Sequence, residues 1–140
     1  MKHFIQLVII LSMLLSYHTL LGQSPIGNWK IISHISEYKG EKFDSHSELA
    51  KAKPCINSIV YEIKNDNSII LKTNTCNCEQ SYKSIQQKLW SNTKWRIEGN
   101  KISTSNSNFA ASNTYIISYT GNKMIWKGLE GQGTITYQKQ

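Results

Sequence analysis

Polar and apolar residues alternate along most of the chain beyond residue 25. Side chains of a strand point alternately to opposite faces, so such alternation predicts half-buried strands. The first runs from Ile26 to Ser36, with Trp29, Ile31, Ser33 and Ile35 on one face and His34 turned outward. Ser58 to Lys64 and Ser68 to Asn74 form the next pair, joined by Asn65-Asp66-Asn67. Asn and Asp tolerate the left-handed backbone of a tight turn. A three-residue loop there sets Ile63 opposite Ile69 and Tyr61 opposite Leu71.

Two later hairpins carry Gly99-Asn100 and Gly121-Asn122, each flanked by alternating segments, a strong two-residue turn signal. Their strands bring Trp95, Ile97, Ile102, Tyr115, Ile117, Tyr119, Met124 and Trp126. Gly131 and Gly133 bend the chain once more before Thr134 to Lys139, with Ile135 and Tyr137 on one face.

Three stretches break the pattern. Residues 37–54 are polar, and His46 to Lys53 can form one or two helical turns before Pro54 ends them. Residues 104–113 are rich in Ser and Asn and read as a loop. Between Glu79 and Asn92, Tyr82, Ile85 and Leu89 sit at helical spacing, while Tyr82, Ser84, Gln86, Lys88 and Trp90 suit a strand. The surrounding meander favours the strand. The expectation is an all-β protein. Eight or nine strands form an antiparallel up-and-down meander that closes into a small barrel, because closure removes exposed edges. A short helix is placed near residues 46–53.

The N-terminus follows a different rule. Met1-Lys2-His3 is a basic start, and Phe4 to Leu15 is apolar apart from Gln6 and Ser12. With Gly22 as a small residue at the cut, residues 1–22 read as a signal peptide and 23–140 as one domain, periplasmic or secreted. The apolar run is too short and interrupted for a membrane span, so the mature chain is expected to lack one. The formal net charge is +7, but the lysines are scattered and only Arg96 is an arginine. Nucleic-acid binders concentrate Lys and Arg on one face, so that partner class is set aside.

Export implies an oxidising compartment and a disulfide. Carried down the first hairpin, the register brings Cys55 opposite Asn77, flanked by Cys76 and Cys78. The bond therefore joins Cys55 to Cys76 or Cys78. Cys-x-Cys is not a usual structural zinc spacing, so neither a metal nor any other cofactor is expected, even with His46 nearby.

At Gly27-Asn28-Trp29 the chain resembles the first lipocalin signature. The order beyond it agrees. Cys55 precedes the Tyr61-x-Ile63 strand and its Asn-Asp turn, Trp95-Arg96-Ile97 leads into Gly99-Asn100, and Tyr115-x-Ile117 precedes a final strand pair. Over residues 26–139 the chain is similar to short, exported bacterial lipocalin-like domains. That resemblance implies a lipocalin-like barrel with Gly27 and Trp29 in structural roles at its floor. Lys139 stands in the last strand, where lipocalins place an arginine over that tryptophan.

Tyr61, Leu71, Trp95, Tyr115, Ile117, Met124 and Trp126 all fall on inward positions. They are the candidate pocket lining for a small hydrophobic ligand, with tyrosine hydroxyls to orient it. The other reading is a filled barrel that engages an envelope protein through loops 37–54 and 103–113. Asp44-Ser45-His46-Ser47-Glu48 contains the residue types of a hydrolase triad. Triads are assembled from distant segments, so these belong to a solvated loop, and no enzyme activity is expected.

Overall fold

The computed structural model describes residues 22–140, so the export segment expected over residues 1–22 lies outside it except for Gly22. The chain runs β1 (Gly27–Tyr38), β2 (Glu41–Asp44), α1 (Ser45–Ala52), a 3-10 turn (Pro54–Ser58), β3 (Val60–Ile63) and β4 (Ile69–Lys72). Then follow α2 (Gln80–Trp90), β5 (Lys94–Glu98), β6 (Lys101–Ser105), β7 (Asn113–Thr120), β8 (Lys123–Gly128) and β9 (Thr134–Lys139). All strand pairs are antiparallel, in the order β4-β3-β1-β9-β8-β7-β6-β5. β2 adds to the far half of β1, covering Ile35 to Tyr38.

The two ends of this sheet meet. Ser68 bridges to Lys94, the amide of Ile69 donates to Thr93 O at 3.0 Å, and the amide of Trp95 donates to Asn67 O at 2.8 Å. These bonds lie at the start of β4 and the start of β5. Above them the strands part and α2 packs against β4, so the barrel is nearly closed.

Turn chemistry fixes the register. Lys64 N donates to Ser68 O at 2.9 Å around the three-residue loop, where Asn67 takes φ 65°. Tyr61 then pairs with Leu71 and Ile63 with Ile69, as the sequence led us to expect. Gly99 (φ 60°) and Gly121 (φ 59°) occupy the first central position of two-residue hairpins, where a positive φ is required.

Two expectations need correction. The segment 79–92 is helical, not a strand: α2 lays Tyr82, Gln86 and Trp90 partly buried on one side. Residues four apart share a helix face. Ile85 and Leu89 point away from the barrel, 58 % and 61 % exposed. His34 does not turn outward. The β1–β9 register slips between Ile31 and Ser33, and one extra residue in a strand reverses every later side chain. Past this bulge His34 pairs with buried Ile135, and its Nε2 donates to Gln132 O at 2.8 Å, while Ile35 becomes exposed.

The expected helix near 46–53 is present as α1. Asp44 caps it, accepting from Ser47 N at 3.1 Å, and the same oxygen accepts from His34 N at 3.0 Å on β1. Ser45 Oγ donates to His34 O at 3.0 Å. On the other edge of β1, between the stretches paired by β3 and β2, the His34 N–H and C=O are thus satisfied by side chains at the start of α1.

Candidate functional site

The inward faces of the strands build one main core around Trp29, Ile102, Met124, Trp126 and Tyr137, and a second cluster around Ile56, Ile59 and Leu71. All seven residues read as candidate pocket lining are here. Trp95, Tyr115, Ile117, Met124 and Trp126 belong to the main core, Leu71 to the second, and Tyr61 packs against both. Met124 is 0 % exposed and Trp126 2 %. Aromatic rings run through the interior in sequence. Trp90 meets Tyr61 edge-on at 5.1 Å, Tyr61 meets Tyr137 at 6.0 Å, Tyr137 meets Trp126 at 4.9 Å, and Trp126 meets Tyr115 at 5.4 Å. Tilted and edge contacts of this kind are each favourable beyond area burial.

The indole donors divide by role. Trp29 Nε1 donates to Pro25 O at 2.7 Å, tying the entering chain beneath the barrel. Trp95 Nε1 donates to Lys64 O at 3.0 Å, across the seam where the barrel closes. Trp126 Nε1 and Tyr119 Oη have no partner among the described residues. Burial pushes the Tyr61 phenol up to about 12, with Tyr82 adding repulsion, and burial raises Tyr119 to about 12 as well. Tyr137 is raised well above its ordinary range by burial and then by Tyr61 and Tyr115. These hydroxyls stay protonated at any physiological pH and remain hydrogen-bond donors.

The disulfide joins Cys55 to Cys78, with Cα atoms 5.2 Å apart, inside the usual range. Cys76 is a buried free thiol. The bond pins the 3-10 turn to the segment leading into α2, beside the second core cluster. Among the described residues no group of His, Cys, Asp or Glu is placed to hold a metal.

None of the seven residues lines the depressions described at the barrel's mouth and flanks. One depression, of about 290 Å³, opens between the end of α2 and the β6–β7 connection. Leu89, Trp90 and Thr93 form one side, and residues 104–106 and 111–113 the other. A second, of about 320 Å³, lies beside it along α2, shares Leu89 and Asn106 and adds Ile85, Lys88 and Asn92. The loop wall is firmly built. The buried Ser105 hydroxyl accepts from Ser107 N at 3.1 Å and Phe109 N at 3.0 Å, and donates to Ala111 O at 2.5 Å. Asn108 and Phe109 both take positive φ at its tip, and Arg96 on β5 stacks over the Phe109 ring at 4.5 Å.

The order of strands, the nearly closed barrel and the Gly27-x-Trp29 floor agree with one further observation: a family model described as a lipocalin-like domain matches residues 26–126. The chain belongs to the lipocalin-like domain family. No curated protein and no solved structure matches it. Within this lipocalin-like barrel Lys139 stands opposite Trp29 in the β1–β9 register, in the last strand, from which the lipocalin resemblance would bring an arginine.

Sequence reasoning missed Trp90 as the residue linking the mouth to the interior. The signal was present in the spacing of Tyr82, Gln86 and Trp90. The larger apolar contrast of Ile85 and Leu89 obscured it.

Proposed function

We propose that this lipocalin-like protein is an exported binder of a small, mostly apolar ligand, taken at the mouth of the barrel and not deep inside it. One observation carries the reading. Trp90 lines the mouth depression and also meets Tyr61, the outermost ring of the interior column. A ligand at the mouth covers Leu89 and Trp90 and rests on a packed aromatic base. The seven inward residues then act as a rigid support, and pre-formed support lowers the ordering cost of binding. The protein acts by binding, without chemistry, in the periplasm or outside the cell. Export is supported by the basic start and apolar run of residues 1–22 and by the Cys55–Cys78 bond.

A second reading has one specific observation in its favour. Ile85 and Leu89 stand exposed side by side on α2, a contact suited to an envelope protein partner on a filled barrel.

Native mass spectrometry of the protein isolated from its own host separates the two. The first reading expects a co-purifying small molecule, lost in Trp90→Ala and in Leu89→Glu. The second substitution lies on an exposed position and leaves the core intact. A clean apo mass for the wild type, or a ligand retained in both variants, contradicts binding at the mouth.

A further inference from the structure

We infer that the mouth selects uncharged ligands that pair an apolar face with an edge of hydroxyl or carbonyl groups; this rests on the mouth being the binding site. The chain carries 16 Lys and Arg and 9 Asp and Glu residues, yet not one lines the 290 Å³ depression. Its polar residues are all neutral hydrogen-bonding types: Thr93, Thr104, Ser105, Asn106, Ser112 and Asn113. Hydroxyls and carboxamides offer both donors and acceptors, which suits a ligand edge carrying hydroxyls or carbonyls. Leu89 and Trp90 supply the apolar side.

Charged side chains on the neighbouring elements do not line this depression. Arg96 lies on the exposed face of β5, drawn over the ring of Phe109 at the loop's tip, and does not line the depression. Lys94 is also exposed on β5. Lys88 lines the adjoining depression, not this one. An ion brought into this depression would lose water without gaining a counter-charge from its lining, a cost that a neutral ligand of the same shape avoids.

The test is a titration of isotope-labelled mature protein with three matched probes, followed by amide NMR. The probes are naphthalenemethanol, naphthoate and naphthylmethylammonium. The expected result is that the alcohol moves amides of residues 89–93 and 104–113 and binds about tenfold more tightly than either ion. Naphthoate or the ammonium probe binding there as tightly as the alcohol overturns the inference and leaves the mouth site standing. No probe moving those amides overturns the mouth site itself. Asn106→Asp and Asn113→Asp, both at exposed positions, give an independent reading. Each shifts preference toward the ammonium probe by about tenfold if the lining sets selectivity, and an unchanged preference overturns it.

Discussion

Asn67 and Trp95 hold each other in both directions: the Trp95 amide donates to Asn67 O at 2.8 Å, and Asn67 Nδ2 donates to Trp95 O at 3.1 Å. With the Trp95 indole bound to Lys64 O, one hairpin turn and the first residues of β5 close the barrel. Asn67 also sits at φ 65°, a conformation that Asn accepts more readily than most residues. Asn67→Ala removes a hydrogen bond and adds backbone strain, for a loss of about 1–2 kcal/mol. Urea unfolding checks it, with a lower midpoint and an unchanged slope expected.

The tryptophans give a paired prediction. Trp95→Phe leaves Lys64 O without its donor, whereas Trp126→Phe removes an N–H that already lacks a partner. Both substitutions lose buried area, so the difference between them isolates the hydrogen bond. Trp95→Phe should be the more destabilising by about 1 kcal/mol. Equal losses in denaturant titrations would mean that the Trp95 bond contributes nothing net.

Cys55→Ser and Cys78→Ser should each destabilise the fold by about 3 kcal/mol, since the bond joins residues 23 positions apart in the chain. Cys76→Ala leaves that bond in place and falls well short of this. Thiol labelling of the native protein should find Cys76 slow to react, because it is buried, and peptide mapping without reduction should recover Cys55 joined to Cys78.

Acid sensitivity should report on Asp44. Burial acts to raise its carboxyl, but hydrogen bonds from the His34 and Ser47 amides and from the Ser33 and Ser47 side chains outweigh it and hold the group well below the usual carboxylate range. A depressed folded-state value means that the stabilisation is complete above the unfolded value, about 4, and is lost as pH falls below it. Asp44→Asn should flatten the acid limb of the stability–pH curve, and Asp44→Ala should also cost about 1 kcal/mol at neutral pH through loss of the cap. An unchanged acid limb in Asp44→Asn would remove Asp44 as its source.

Much of the fold was legible because strand parity and turn residues act locally. The Asn65-Asp66-Asn67 loop fixed the Tyr61–Leu71 register, and the two Gly-Asn turns fixed their hairpins. The β1 bulge was not legible. Period-two reading assumes an uninterrupted strand, and the extra residue near Ile32 is set by pairing with β9, far along the chain. The helix α2 was misjudged because the surrounding meander outweighed the helical spacing of Tyr82, Ile85 and Leu89, two of which are left in solvent. Cys76 and Cys78 share a parity and are both buried. Only the position of Cys55 in a 3-10 turn, off the strand, decides between them. The inward residues were identified, but parity alone does not tell a pocket lining from a core.

The four tryptophans offer the most direct test of binding at the mouth, because Trp90 alone among them lines it, while Trp29, Trp95 and Trp126 are buried. Fluorine NMR of protein labelled with fluorotryptophan, titrated with naphthalenemethanol, reads all four sites at once. The account predicts that the Trp90 resonance moves and saturates while the other three hold still. Movement of Trp126 or Trp95 with Trp90 unchanged would place the ligand inside the barrel and contradict it.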